Sequence, residues 1–359
     1  MLIWAAWLCC IAAAIGPAAC ALGAEIASDL RIGIAVTRPD EKPPTTTISL
    51  LDPRSGAVSD VYRDPKEGAR VLGRMGGADV LGAVRVIASG EVCAVVGSAV
   101  AESGTSEDDV SMLLALEGGR GGKWQRIARL PLCFGQPAPY RAWNRAPVLA
   151  VSPDRSRIAV DASRIGEEAL AGPAVRVLTM YGAEELRIPL PAKVFEVTDM
   201  AWSPDGRHLA YAVSPAGDGS ALDESLIAKA GIYLAGAGSG TPVLLHQCLP
   251  SALAWGPKAD RISIAIRPGR SDKAGIVRTI SFPAGKRLEE FSGPGLVEAI
   301  AYSEGGEWQA IQVAGDDGQS VRVREVGGDW GRDVYHLAEA DGRLALLGWM
   351  SMADRSSGQ

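Results

Sequence analysis

The sequence is poor in the residues that carry most enzyme and metal chemistry: 359 residues hold three histidines and six cysteines. His208, His246 and His336 stand far apart, and no Cys/His spacing suits zinc. HExxH, the GxSxG elbow, the P-loop and a GxGxxG after a strand are all missing, so no motif speaks for a cofactor, a metal or a nucleophile. An excess of positive charge is missing too. Lys and Arg number 36 against 42 Asp and Glu, a net charge of −6. That excludes the clustered basic footprint selected by nucleic acid and by anionic membrane surfaces. Long amphipathic stretches are scarce, whereas Gly (43) and Pro (22) are plentiful and 47% of residues are hydrophobic. A turn-rich all-β chain with enough apolar surface for a large core follows.

The first 24 residues, MLIWAAWLCCIAAAIGPAACALGA, contain no charged side chain and end in small residues. They read as a secretory signal peptide, with Gly16-Pro17 breaking the apolar helix and Ala19-Cys20-Ala21 or Ala21-Leu22-Gly23 offering the cleavage site. Two other readings stay open, an uncleaved anchor and a lipoprotein acylated at Cys20. In each case residues 25–359 form one extracytoplasmic domain, periplasmic or secreted, that does not itself insert in a membrane. That domain keeps Cys93, Cys133 and Cys248, enough for one intramolecular disulfide at most. They read as small buried hydrophobes.

One segment recurs along this domain. The clearest copy is DMAWSPDGRHLAY (199–211), beside VLAVSPDRSRIAV (148–160), ALAWGPKADRISIA (252–265), AIAYSEGGEWQAI (299–311) and a shortened LALLGWM (344–350). Aligned, they place Ala150, Ala201, Ala254, Ala301 and Gly348 at one position. Val151, Trp202, Trp255, Tyr302 and Trp349 follow at the next, with spacings of 51, 53, 47 and 47 residues. Neighbouring strand residues face opposite sides of a sheet, so a radial array of strands with room for Ala on one side and an aromatic wedge on the other explains the pair. Ser203-Pro204-Asp205-Gly206 then makes a tight hairpin turn, Pro presetting φ and Gly accepting the left-handed position.

Further along come hairpins around Gly56, Gly122, Gly182, Gly240, Gly285 and Gly328. Six such outer hairpins predict a six-bladed β-propeller of four-stranded blades. LRIGIAV lacks an inner strand before it and LALLGWM has nothing after it, so pairing of these N- and C-terminal strands is expected to close the ring and remove its open edges. The segment DVLGAVRVIA with EVCAVVG, taken as the inner pair of blade two, is the least regular.

An inner strand, a Trp-Ser-Pro-Asp-Gly turn and a second strand ending Leu-Ala-Tyr resemble the repeat of TolB-type six-bladed propellers, with a full match at 199–211. The resemblance implies a propeller, and the sequence is expected to depart from its relatives in two ways: no counterpart of the additional α/β domain of the TolB translocation protein, and no hydrolase domain of the kind that similar propellers carry in prolyl-oligopeptidase-like peptidases. It speaks for a fold before a job.

Catalysis is confined by this sequence to carboxylates: Glu102, Glu107, Asp108 and Asp109 in one insertion, Asp218, Asp223 and Glu224 in another. Asp316-Asp317-Gly318 lacks the later ligands of a calcium loop and reads as a hairpin turn. Insertions at 98–109, 162–173, 214–229 and 267–275 all join second to third strands, which sets them on one face together with the inter-blade segments. There Tyr140, Arg141, Trp143 and Arg145 combine residue types enriched at binding hot spots; sealing a blade joint is the rival role for Tyr140 and Trp143. The expected function is a non-catalytic scaffold that binds a protein or envelope component through this face. The alternative is a hydrolase or lyase with a carboxylate-lined site at the channel mouth.

Overall fold

The structure is a computed structural model that describes residues 25–38, 45–63, 83–86, 94–101, 109–117, 125–133, 148–154, 156–161, 174–179, 183–191, 195–215, 224–267, 274–329 and 331–351. Strands dominate it. In chain order they are β1 (Leu30–Arg38), β2 (Thr45–Leu51), β3 (Val58–Arg63), β4 (Ala83–Val86), β5 (Ala94–Ala101), β6 (Asp109–Glu117), β7 (Gln125–Cys133) and β8 (Leu149–Val151). The middle of the chain adds β9 (Arg157–Asp161), β10 (Ala174–Thr179), β11 (Glu184–Pro189), β12 (Phe195–Trp202), β13 (His208–Pro215), α1 (Glu224–Ile227), β14 (Gly231–Gly236) and β15 (Val243–Gln247). The remainder runs β16 (Pro250–Trp255), β17 (Arg261–Ile266), β18 (Ala274–Ser281), β19 (Arg287–Pro294), β20 (Leu296–Tyr302), β21 (Trp308–Gly315), β22 (Gly318–Glu325), β23 (Arg332–Ala338) and β24 (Arg343–Ser351).

The ring of packed blades counts five, not the six expected. The blades are β8 to β11, β12 to β15, β16 to β19, β20 to β23, and a closing blade ordered β24-β1-β2-β3. Each is antiparallel, and the inner strands β8, β12, β16, β20 and β24 neighbour one another in that sequence. The segment expected as blade two does form a four-stranded antiparallel sheet, β4-β5-β6-β7. Its side chains lie outside the described residues. Counting outer hairpins gives six, whereas the inner-strand repeat has five copies, and each of those five lies in a packed blade. The described cores join these five blades in turn.

That weld is visible in the packing. Ala210 and Ala212 of one blade face Leu253, Trp255, Ile262 and Ile264 of the next. Ala252, Ala254 and Ala265 in turn meet Val297, Ile300, Ile311 and Val313. Ala310 with Val321 and Val323 packs on Ile32, Ile34, Leu344 and Leu346 of the closing blade. Blades thus present small residues on one side and large ones on the other, and the cores lie between blades. Middle strands are covered on both faces, which is why β17 reads iso-apolar as RISIAI with four consecutive buried residues.

The aromatic of the repeat adds a directed bond. The indole Nε1 of Trp202 donates to the carbonyl of Ala150 (3.3 Å), Trp255 to that of Ala201 (3.0 Å) and Trp349 to that of Ala301 (3.2 Å). Each therefore reaches the small residue of the preceding copy. A net gain of about 1 kcal/mol per bond is typical, and an unmet buried carbonyl costs more. Tyr302 breaks the series: its hydroxyl meets Ser263 Oγ at 2.6 Å.

The outer hairpins also have a common task. A Cβ on Gly56 would stand 2.8 Å from the Val334 carbonyl oxygen, one on Gly240 3.0 Å from that of Arg187, and one on Gly285 3.2 Å from that of Leu245. In each case the turn lies against the outer strand of the preceding blade and helps cover its edge. Gly56 (φ 73°) and Gly285 (φ 66°) are left-handed as well, so glycine is required there on two counts.

Ring closure comes from β1 and β24, paired antiparallel from Leu30 with Ser351 to Thr37 with Arg343.

Candidate functional site

Two faces follow from the strand directions. One carries the turns after each inner strand, built on a buried serine. Ser152 Oγ meets Asp154 Oδ1 at 2.5 Å and Ser203 Oγ meets Asp205 Oδ1 at 2.6 Å, while the same hydroxyls accept the backbone N–H of Arg157 and His208. Hydrogen bonds from Ser152 and Ser156 hold the Asp154 carboxyl down at about 2, and one from Ser203 lowers Asp205. These aspartates fix turns. At Gly256, where the serine is missing, the backbone bond to Arg261 is kept.

The other face bears the connections between second and third strands. Residues 162–173 join β9 to β10, 216–230 join β13 to β14 and include α1, and 267–273 join β17 to β18. By contrast β21 and β22 are joined through residues 316–317 alone. The expected insertion at 98–109 is shorter, because β5 continues to Ala101 and β6 begins at Asp109. Tyr140, Arg141, Trp143 and Arg145 lie outside the described residues, as do residues 1–24 and the acidic residues Glu102, Glu107, Asp108, Asp218 and Asp223.

At the channel edge of this face the inner strands are irregular in a repeated way. The ladders of β12, β16 and β20 skip Thr198, Ser251 and Glu298, each four residues before the Trp or Tyr of its copy. A bulge re-aims its side chain. Thr198 Oγ1 donates to the Pro250 carbonyl (3.2 Å) and Ser251 Oγ to that of Val297 (2.8 Å), both in the next blade. Asp199 accepts the N–H of Leu253 at 2.9 Å. An innermost strand has no partner strand on its channel side, so these side chains satisfy backbone groups that would otherwise be left unpaired.

The most developed cluster grips the closing blade. Gln312, 4% exposed, accepts the Leu346 N–H through Oε1 (2.8 Å) and donates through Nε2 to the Leu344 carbonyl (2.9 Å) and to Glu298 Oε2 (2.8 Å). Gln319 accepts the Leu344 N–H (2.8 Å) and donates to the same Glu298 oxygen (2.5 Å). Glu298 is solvent-exposed and is the one carboxylate of the group.

A second polar cluster fills the joint where Tyr302 replaces tryptophan. Ser263 Oγ meets Thr279 Oγ1 (2.7 Å), Tyr302 and the amide of Gln309 (2.9 Å). Arg324, wholly buried, pairs with Glu289, donates to the Gly328 carbonyl (2.8 Å) and lies 3.6 Å over the Phe291 ring. Burial raises the Tyr302 hydroxyl above its ordinary range. This chain of groups joins two blades.

The histidines stand where the repeat sets them, His208 at the head of β13, His246 in β15 and His336 in β23. His246 Nε2 lies 3.1 Å from the guanidinium of Arg278, and burial followed by that charge lowers its pKa. Among the described residues no group of three or more His, Cys, Asp or Glu is placed to hold a metal ion. No described helix is long and apolar enough to cross a membrane. Both polar clusters were missed in the sequence, although Gln309 and Gln312 inside the apolar run WQAIQV were their signals: polar residues in a strand buried on both faces need partners.

No family model matches the chain, and no curated protein matches it. Solved structures do. TolB from Acinetobacter baumannii superposes with a TM-score of 0.52 at 13% identity over 89% of this chain, which spans 66% of that protein. A TolB-type protein of Agrobacterium tumefaciens gives 0.53 at 13%, covering 90% of this chain and 98% of that one. A chain of the nidogen/laminin complex gives 0.53 at 12%, covering 89% and 97%. At such identities the likeness is one of fold: the chain is an all-β propeller similar to those of TolB-type proteins.

Proposed function

We propose that this chain is a non-catalytic binding module working outside the cytoplasm, which engages a protein or envelope component through its insertion-bearing face, with Tyr140, Arg141, Trp143 and Arg145 in the contact. The observation that carries this reading is the asymmetry of the two faces. Long connections gather on one face, while the other keeps short serine-centred turns. A rigid ring offering variable loops on one side is the usual arrangement of a recognition surface. The described carboxylates of the channel edge favour binding over hydrolysis, since Asp199 is bound to backbone N–H groups and Glu298 to two amides. A propeller of similar fold occurs in the nidogen/laminin complex, in keeping with a partner that is a protein. Export follows from the apolar first 24 residues, with a cleaved leader, a lipid at Cys20 and an uncleaved anchor as its three forms.

The test is capture of partners from the envelope fraction by tagged residues 25–359, followed by mass spectrometry and an affinity measurement on the partner found. Truncating a hot spot costs about 2 kcal/mol or more, roughly thirtyfold in affinity. Trp143→Ala should show that loss while melting within a few degrees of the parent. A large drop in stability with undiminished capture by the protein that remains folded would identify Trp143 as a blade seal and overturn the assignment.

A further inference from the structure

Among the five inner strands, β24 is the one that does not turn back into a second strand of its own blade. β12, β16 and β20 each lead through a tight turn into the strand they pair with, whereas β24 pairs with β1, from the far end of the described chain. Its covalent tie is a short connector after β23. Glu339–Asp341 form a 3-10 turn whose preceding residue, Ala338, makes no side-chain cap bond, and Gly342 follows at φ 129°. All three turn residues are solvent-exposed. The connector abuts the Asp316-Asp317-Gly318 turn, where a Cβ on Gly318 would lie 3.0 Å from the Glu339 nitrogen. The connector therefore lies beside the start of β22 and buries none of its three residues.

The slot that receives β24 reads mainly backbone. On one edge it has the β1 ladder, on the other the amides of Gln312 and Gln319 bonded to Leu344 and Leu346 main-chain groups. Side-chain recognition adds Leu344 and Leu346 in the core and the Trp349 indole on the Ala301 carbonyl. Every one of these contacts is available to an identical strand from another molecule. Closed monomer and exchanged pair then differ in the connector and in the entropy of association alone.

We infer that β24 is an exchangeable strand: a second copy of this chain inserts its β24 between β1 and the Gln312–Gln319 amides, and the two copies close each other's rings as a reciprocal dimer.

Ala35 and Ala345 are direct partners in the β1/β24 register, and both are small. Two otherwise complete chains, one bearing Ala35→Cys and the other Ala345→Cys, are mixed at high concentration, oxidised, and digested for disulfide-linked peptides spanning positions 35 and 345. A single chain carrying both substitutions controls for geometry by cross-linking within itself. Expected is a linked heterodimer whose yield rises with concentration, and rises about tenfold when Glu339 and Ala340 are deleted, because a connector too short to fold back disfavours self-closure. Gln312→Ala, which removes two bonds to β24, should speed heterodimer formation by about tenfold. Native mass spectrometry of mixed isotope-labelled and unlabelled parent chains reads the same exchange without any substitution. If the doubly substituted chain cross-links internally while the mixture, the shortened connector and the labelled pair all stay monomeric, the inference is wrong.

Discussion

Replacing Trp255 by Phe isolates the bond that welds one blade to the next. Trp255 is 7% exposed, its indole donates to the Ala201 carbonyl at 3.0 Å, and its ring meets Phe282 edge-on with centroids 5.0 Å apart. Phenylalanine keeps an aromatic wedge but loses the donor. The lost bond is worth about 1 kcal/mol net, and leaving the Ala201 carbonyl without its donor costs about 1–2 kcal/mol more if water does not reach it. The missing part of the indole opens roughly 35–40 Å³, which at about 24 cal/mol per Å³ adds roughly 1 kcal/mol. The sum is about 2–4 kcal/mol. Urea unfolding followed by tryptophan fluorescence and by far-UV circular dichroism measures it through the midpoint at constant slope. Leu288→Ala serves as the surface control, since Leu288 is 55% exposed, and should stay within about 0.5 kcal/mol of the parent. A loss below about 0.5 kcal/mol for Trp255→Phe would refute the claim that the indole bonds hold the ring together and would leave shape alone as the reason for the repeated aromatic.

The outer turns make an ordered series: Gly56→Ala and Gly285→Ala should each destabilise by at least about 1–2 kcal/mol through their left-handed φ, with Gly56→Ala the worse for its closer carbonyl, whereas Gly238→Ala, with open space around it, should be near neutral in thermal melts. Asp154 has a folded pKa of about 2 against an ordinary 3.8, so its contribution is present above pH 4 and fades as pH falls through 2; Asp154→Asn should flatten the acid limb of a stability–pH curve in that window, and an unchanged limb would show that the serine bonds do not bias its protonation. His246 follows the same direction in a higher window: its lowered pKa means the neutral ring is favoured in the fold, so its contribution is present above the unfolded pKa of about 6.5 and is lost on acidification, and NMR titration should place the ring below that value. Burial pushes the Cys248 thiol up to about 12, so peptide-resolved alkylation at pH 8 should label it only after unfolding.

Much of the architecture could be read from residue order alone, because it depends on local chemistry repeated at a fixed period. Alternation in strands, Pro-Asp-Gly turn geometry and the small-then-aromatic pair are properties of short segments, and they located the inner strands, the serine turns and the β1/β24 closure correctly. Blade number was not local. Outer hairpins form wherever a Gly-bearing turn separates two apolar runs, as at β6 and β7, whereas the described ring is counted by the cores packed between successive blades, which join residues far apart in the chain. The polar ties were equally a tertiary matter. Which carbonyl Thr198, Ser251 or Gln312 would satisfy depends on bulges and on the neighbouring blade, 52, 46 and 32 residues away in the chain respectively. A sequence displays the need for partners, since a glutamine inside a buried strand must be satisfied, but the identity of the partner is settled only when the blades have come together and the free edge of each inner strand faces the next.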